Sequence, residues 1–242
     1  VEQRIRDEAA ALIADNNMVQ VDIDVRPPNL AAQWMMGNLS TLLAELGPLW
    51  PKCAKDLTDE VAIGLYLSQS MYNLRTAAVA EQMRVEANQA MARAFEQVDL
   101  IIAASNPGPA FAAEASMSST ENNLIEKAKS STAAKGAFRA ALFGTRLAST
   151  FAPKLPSTLL DQVSERFPEM VNMGALTIIS NIYGNPAVSI PAGTVRGLPV
   201  GMQVLARHHE DPLLFDVALA VERERPWPMV APAVSDAAAV RS

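Results

Sequence analysis

The chain has 242 residues, half of them hydrophobic and 19% charged, with a formal charge of −6. So large an apolar share can bury a sizeable core, and so few charges exclude a disordered chain. The acidic balance argues against a nucleic-acid or polybasic membrane binder, and the single cysteine, Cys53, excludes a disulfide framework or a multi-cysteine metal site within the chain.

Val1 opens onto Glu2, Arg4, Arg6, Asp7 and Glu8, so no signal peptide is expected and a reducing, cytoplasmic setting is. Ile5, Ala9, Leu12 and Ile13 recur at helical spacing up to Asn16-Asn17. Val19, Val21, Ile23 and Val25 then alternate with Gln20, Asp22 and Asp24, which predicts a strand near a sheet edge, stopped by Pro27-Pro28. Residues 29–46 read as a helix burying Trp34, Leu39, Leu42, Leu43 and Leu46, with Gly47 as its C-cap. Pro48 and Pro51 make a loop, and Thr58 before Asp59-Glu60 starts another helix, because acids favour the positive end of the dipole.

A long helix is predicted over Ser70–Gln97, with Val79, Met83, Ala87, Ala90, Met91, Ala94 and Val98 on one stripe. Leu100–Ala104 reads as a buried strand ended by Asn106-Pro107-Gly108-Pro109. A polar loop over 116–123 precedes helical pieces near 124–150 and 157–166. The uncharged run Met170–Val195 holds Gly174, Gly184, Pro186, Pro191 and Gly193, so a buried strand-and-loop segment is expected there rather than a lipid-exposed helix. Ala187–Ile190 forms a strand between Pro186 and Pro191, and Val200–Leu205 forms the next. A final helix over 212–225 has Asp211 as N-cap and Pro212 in the first helical position. The expected architecture is one α/β piece with a mixed sheet over 1–230, followed by a flexible tail over 231–242.

The residues that carry chemistry are sparse. His208 and His209 are the only histidines. Neighbours on an extended chain point to opposite faces, so they suit neither one metal nor a Ser-His-Asp site, and solvated loop residues are expected. The run Lys127–Lys135 has Thr132, not a serine, one turn before Lys135, which departs from a Ser-x-x-Lys nucleophile motif. Cys53 sits between Lys52 and Lys55, which can lower a thiol pKa, but no histidine motif accompanies it. Asp22, Asp24, Glu222 and Glu224 read as solvated surface. No phosphate loop or dinucleotide fingerprint is present, and no metal site or cofactor is expected.

The richest segment is Thr177–Gly193. Its stretch Gly184-Asn185-Pro186-Ala187-Val188-Ser189-Ile190-Pro191-Ala192-Gly193 resembles one near the C-terminal end of the amidase signature hydrolases. Gly197–Arg207 is similar to that family's next strand, and the helix from Asp211 with Pro226-Trp227 behind it resembles the family's ending. Asp99–Phe111 is similar to the strand and loop bordering the family's substrate cleft, although Ala103, Ala104 and Ser105 stand where family members often carry threonine and proline. The resemblance implies the C-terminal part of an α/β/α sandwich with a mixed sheet. It also implies amide hydrolysis through a serine acyl-enzyme, by a serine nucleophile, a second serine joined through a cis peptide, and a lysine base.

That triad belongs to a glycine- and serine-rich N-terminal segment in the family. This sequence has 11 glycines and no Gly-Gly or Gly-Ser pair, so no catalytic residue is carried over. The chain is expected to be the C-terminal half of the domain, inactive alone. Thr177, Asn181, Ser105 and Asn106 are the cleft positions that the resemblance assigns to substrate binding, although such residues equally cap helices and form turns. The implied partners are a small amide substrate and an N-terminal amidase half, in the same or a separate chain. Exposed edges also admit self-association as a homodimer; no nucleic acid or membrane is implied. A non-catalytic binding module derived from the same fold is the second reading, and an unrelated enzyme using His208 and His209 the third. Phe111, Phe138, Phe143 and Phe151 are candidates for an apolar pocket or for core.

Overall fold

A computed structural model describes residues 1–24, 26, 28, 30–110, 132–155, 158 and 175–227. In chain order the helices are α1 (Glu2–Asp15), α2 (Ala31–Leu46), α3 (Asp59–Met71), α4 (Leu74–Phe95), α5 (Thr132–Phe151), α6 (Ala175–Tyr183) and α7 (Asp211–Glu224). The strands are β1 (Leu100–Ala104), β2 (Ala187–Val195) and β3 (Leu198–Ala206). They form one sheet in the order β1-β3-β2, and both pairings are antiparallel. Ile102 and Val188 flank Val204 from either side, and Ala103 and Ser189 flank Gln203. The expected mixed sheet would need parallel neighbours, and the described strands supply none.

Alternation along the strands fills two layers. On one face, Ile190, Met202 and Val204 meet Ile5 and Leu12 of α1 and Leu214, Val217 and Val221 of α7. On the other, Leu205 and Ile101 meet Met91 and Phe95 of α4 and Ile179 and Tyr183 of α6. Helices on both faces of the sheet make three layers, as expected. α4 and α6 are further joined through Ala87, Met83, Ile178 and Ile182, with Leu30 beneath them.

α1 is held to α7 at its polar rim. Arg225 pairs with Glu8 at 3.3 Å and with Asp15 at 2.8 Å, and Arg4 pairs with Glu8 while its Nε donates to the Ala192 carbonyl at 2.8 Å. Away from the sheet, α3 packs on α2 and α5. The α5 seam is polar: Thr145 donates to Ser70 at 3.2 Å, Asn73 donates to Ser149 at 3.1 Å, and Arg75 donates to the Thr150 carbonyl at 2.8 Å.

Several elements depart from the sequence pattern. Residues 18–24 form no strand: Val19 is 83% exposed and no ladder partner lies beside them among the described residues. Alternation marks a chain suited to a strand, but a strand exists only where another backbone pairs with it. Val25 lies outside the described residues. The helix expected over 70–97 is two helices. Asn73 breaks it, because its side chain accepts from the Arg75 and Thr76 amides while the Thr76 hydroxyl accepts from the Asn73 amide, a capping box that restarts the chain as α4.

Residues 175–183 are helical rather than extended, with apolar Ile178, Ile179 and Ile182 spaced for one face. Trp34 is exposed and Met36 takes the buried place on α2. Glu210, not Asp211, holds the N-cap position of α7. Phe143 and Phe151 are exposed and so take no part in the core, and no side-chain description covers Phe111 or Phe138. The loop over 116–123, the helix over 157–166 and the tail from 231 lie outside the described residues. The Thr58 cap, the Gly47 C-cap and the α4 stripe match expectation. Among the described residues no helix is long and apolar enough to cross a membrane, and no cluster of three metal-ligating side chains occurs.

Two substitutions test this packing. Leu12 is fully buried between α7 and the sheet. Leu12→Ala is therefore expected to lower unfolding free energy by about 2–5 kcal/mol in urea titration. Asn73→Ala removes the α4 cap and should cost about 1 kcal/mol by the same measurement.

Candidate functional site

A cleft of about 320 Å³ opens between α6 and the edge of the sheet. Its lining comes from four elements. Ser105 and Asn106 follow the end of β1, Thr177, Ser180 and Asn181 come from α6, Ala187, Val188 and Ser189 from β2, and Gln203 from β3. Thr177, Asn181, Ser105 and Asn106, the four residues named from sequence, thus all face one cleft.

Local rules place these side chains. Thr177, Ser180 and Asn181 sit at spacings of three and four, so they share one side of α6. The helix ends because Gly184 takes a φ of 77° that suits glycine, its amide bonding the Ser180 carbonyl at 2.7 Å. Asn185 is buried there and donates to the carbonyls of Pro186 and Ala206 at 3.1 and 3.0 Å, which ties the turn to β3. His208 closes the same corner: its Nε2 lies 2.9 Å from the Tyr183 carbonyl, and its ring centroid lies 4.3 Å from that of Tyr183. Both histidines are exposed, as expected. Neither lines the cleft.

The floor of the cleft is a hydroxyl pair. Ser105 Oγ and Ser189 Oγ are 2.5 Å apart, bridging the two strands that flank β3. They meet over Gly201, where a larger residue would force the two hydroxyls to shift. A Cβ there would lie 2.8 Å from Ser105 Oγ and 2.9 Å from Ser189 Oγ. The Ser105 amide also donates to the Gly201 carbonyl at 2.9 Å, which carries the β1 end across β3. Above this pair, the Ser180 hydroxyl is buried and has no hydrogen-bond partner among the described residues. Asn181 donates to the Thr177 carbonyl at 3.1 Å, which orders its side chain on the helix surface.

None of these lining residues is ionisable. The resolved shifts of protonation lie elsewhere: hydrogen bonds from Arg6 and Arg84 hold the Glu2 and Glu81 carboxyls below their usual range on exposed helix surfaces. The lining can donate, accept and orient. Among the described residues it contains neither a lysine nor a histidine to act as a base. Cys53 is half-buried in a short 3₁₀ turn outside it. Lys127–Ser131 and the Lys135 side chain lie outside the described residues.

Sequence reasoning missed Ser180, Ser189, Gln203 and Gly201. Ser180 was discoverable from helical spacing once α6 is read as a helix. The other three depend on strand register, which no local pattern reveals.

A helix–sheet–helix scaffold holding a polar cleft at its sheet edge is a layered α/β fold. The chain is similar in fold to a bacterial aryl acylamidase of the amidase signature enzymes, at a TM-score of 0.59 and 16% identity, covering 94% of this chain and 41% of that one. It is also similar to 6-aminohexanoate cyclic dimer hydrolase, at a TM-score of 0.57 and 18% identity, covering 96% of this chain and 42% of the hydrolase. In sequence it is 36% identical over 83 residues to a glutamyl-tRNA(Gln) amidotransferase subunit from Clostridium kluyveri, covering 34% of this chain and 17% of that protein. The corresponding subunit from Methanothermobacter thermautotrophicus is 43% identical over 68 residues, 28% of this chain and 14% of that protein. No protein-family model matches the chain. The chain thus resembles amidase signature enzymes in fold and, over part of its sequence, a glutamyl-tRNA(Gln) amidotransferase subunit, and it spans less than half the length of each.

The hydroxyl pair makes a direct prediction. Gly201→Ala should destabilise the chain by about 1–3 kcal/mol, as overpacking does. Adding Ser105→Ala and Ser189→Ala should recover part of that loss, so the three substitutions are non-additive in urea unfolding. Full additivity would mean that the three residues do not press on one another.

Proposed function

We propose that this chain is the C-terminal part of an amidase signature amide hydrolase. It supplies one wall of the substrate cleft and core strands, while the Ser-Ser-Lys triad belongs to the N-terminal half of the domain. The observation that carries this reading is the convergence of Ser105, Asn106, Thr177 and Asn181 on one cleft from two separate segments. The lining supports it chemically, since it is rich in groups that orient an amide and, among the described residues, holds no base to activate a nucleophile. The 17% and 14% of the curated relatives covered, and the 41% and 42% of the solved enzymes, also support a partial domain.

In this mechanism the N-terminal half brings the nucleophilic serine to the carbonyl carbon. The lysine takes the serine proton, an acyl-serine ester forms, and the amine or ammonia leaves with a proton. Water then attacks the ester, and the acid leaves with the serine restored. Residues of this chain hold the substrate against the nucleophile, which lowers the barrier by fixing orientation. The partners are accordingly a small amide and the N-terminal half, in one polypeptide or two. A binding module without hydrolysis is the second reading, and the same base-free lining favours it.

The test compares the native protein with the 242-residue chain. In source-cell extracts, intact mass should exceed 25.9 kDa, or a second chain bearing the serines and lysine should co-purify. That preparation should release ammonia or amine from amides, and the isolated chain should not. In the active preparation Asn181→Ala should raise KM several-fold with kcat little changed, as expected for a group that binds substrate and transition state alike. Hydrolysis by the isolated chain would overturn the assignment of the triad to another segment. A native mass of 25.9 kDa with no partner and no activity would establish the binding module instead.

A further inference from the structure

We infer that His208 is a positioning residue for the cleft. Its imidazole latches the C-terminal turn of α6 to the segment leaving β3, and so fixes how far Thr177, Ser180 and Asn181 stand above the sheet. The inference rests on the reading of this cleft as a substrate wall, and it adds a residue that lies outside the lining.

Three contacts carry it. Nε2 of His208 lies 2.9 Å from the Tyr183 carbonyl oxygen. A carbonyl only accepts, so Nε2 carries the hydrogen and donates. Tyr183 is the last residue of α6, and the last carbonyls of a helix have no partner within it. The imidazole therefore meets a group that the helix end leaves open. Its ring also lies against the Tyr183 ring, centroids 4.3 Å apart, and the Tyr183 ring stacks in turn on Phe95 of α4 at 6.3 Å. A Cβ on Gly184 would stand 4.0 Å from Nε2, so the imidazole closes over the residue whose φ of 77° ends the helix.

The residue before it does the same for the neighbouring helix. Arg207 donates from Nε to the Phe95 carbonyl at 2.9 Å and from Nη2 to the Val98 carbonyl at 3.1 Å, and it pairs with Asp99 at 2.9 Å. Two consecutive side chains thus hold the C-terminal ends of the two helices that cover the cleft face of the sheet. Along its side, α6 meets α4 through Ile178, Ile182, Met83 and Ala87. Such apolar contact is non-directional and leaves sliding cheap. The bonds from His208 and Asn185 are directional, and they set where the helix stops. His208 is exposed, so replacing it leaves the core intact.

The experiment uses the native protein from its source cell, at its natural length and with any partner that accompanies it, carrying His208→Ala, His208→Asn or His208→Gln. Hydrogen exchange read by mass spectrometry compares peptides of α6, over 175–184, with peptides of α7, over 211–224. His208→Ala should speed exchange in α6 about three- to tenfold, the range set by one net hydrogen bond, and leave α7 unchanged. Gln places its amide nitrogen where Nε2 stood and should restore slow exchange. Asn is shorter, does not reach the carbonyl, and should not restore it. With propionamide and benzamide as substrates, followed by ammonia release, the Ala and Asn variants should raise KM several-fold with kcat little changed, and the Gln variant should recover the native KM.

Unchanged exchange in α6 would overturn the latch. Equal acceleration in α6 and α7 would also overturn it, by making His208 an ordinary stabilising residue. Faster exchange in α6 with an unaltered KM in an active preparation would overturn the positioning role. A preparation that cleaves neither amide, while α6 exchanges faster in the Ala variant and recovers in the Gln variant, removes the hydrolytic reading and keeps the latch. An active preparation whose α6 exchange ignores all three substitutions does the reverse.

Discussion

Five consecutive residues of β3, Met202 to Ala206, are buried, and that run constrains the rest of the molecule. A strand presents alternate side chains to opposite faces, so a run buried throughout requires cover on both. Met202 and Val204 draw α1 and α7 to one side, and Leu205 draws α4 and α6 to the other. The two neighbouring strands then supply the backbone partners that an interior strand needs. Gln203 is the single polar residue in the run, and it faces the cleft. Its place follows from register: it lies on the same face as Leu205 but one step beyond the end of the apolar patch that α4 and α6 cover.

The cleft thus exists because the helical layer stops short of covering the whole face. Toward one end, Leu205, Ile101, Met91 and Phe95 close it with apolar contacts. Toward the other, the strand ends carry Ser105, Ser189 and Gly201, too small and too polar to support another helix. α6 is held over this opening by its C-terminal turn, where Gly184 reverses the chain and Asn185 bonds across to β3. The same turn that ends the helix sets the height of Thr177, Ser180 and Asn181 above the sheet. Binding chemistry and sheet packing are therefore two parts of one face, divided by side-chain polarity.

How much of this was legible before the structure varied with the range of the forces involved. α1, α7 and the three strands follow from local periodicity and punctuation, and the Thr58 and Gly47 caps from short-range hydrogen-bonding rules. The strand expected over 19–25 is not formed over the described residues 19–24, because their alternation has no neighbour to pair with among the described residues. The long helix split because Asn73 and Thr76 bond each other's backbone, a local competition that an apolar stripe conceals. α6 read as extended because β-branched Ile178, Ile179 and Ile182 mimic a strand, yet they are spaced to meet α4 along one side. Propensity yielded to tertiary contact there.

The same division holds for the site. Thr177, Asn181, Ser105 and Asn106 were reachable through the resemblance of their flanking segments to one family. Their meeting in space was not, since 72 positions separate Ser105 from Thr177. By itself the sequence determined composition, charge, most helices and the proline-flanked strand, because each depends on residues within a turn or two of one another. Only the tertiary structure decided that Ser105 and Ser189 would share a hydrogen bond over Gly201 and that Ser180 would be buried with no partner among the described residues. Those facts depend on which strands lie side by side and in which register, and register is set by burial of whole faces rather than by any local rule.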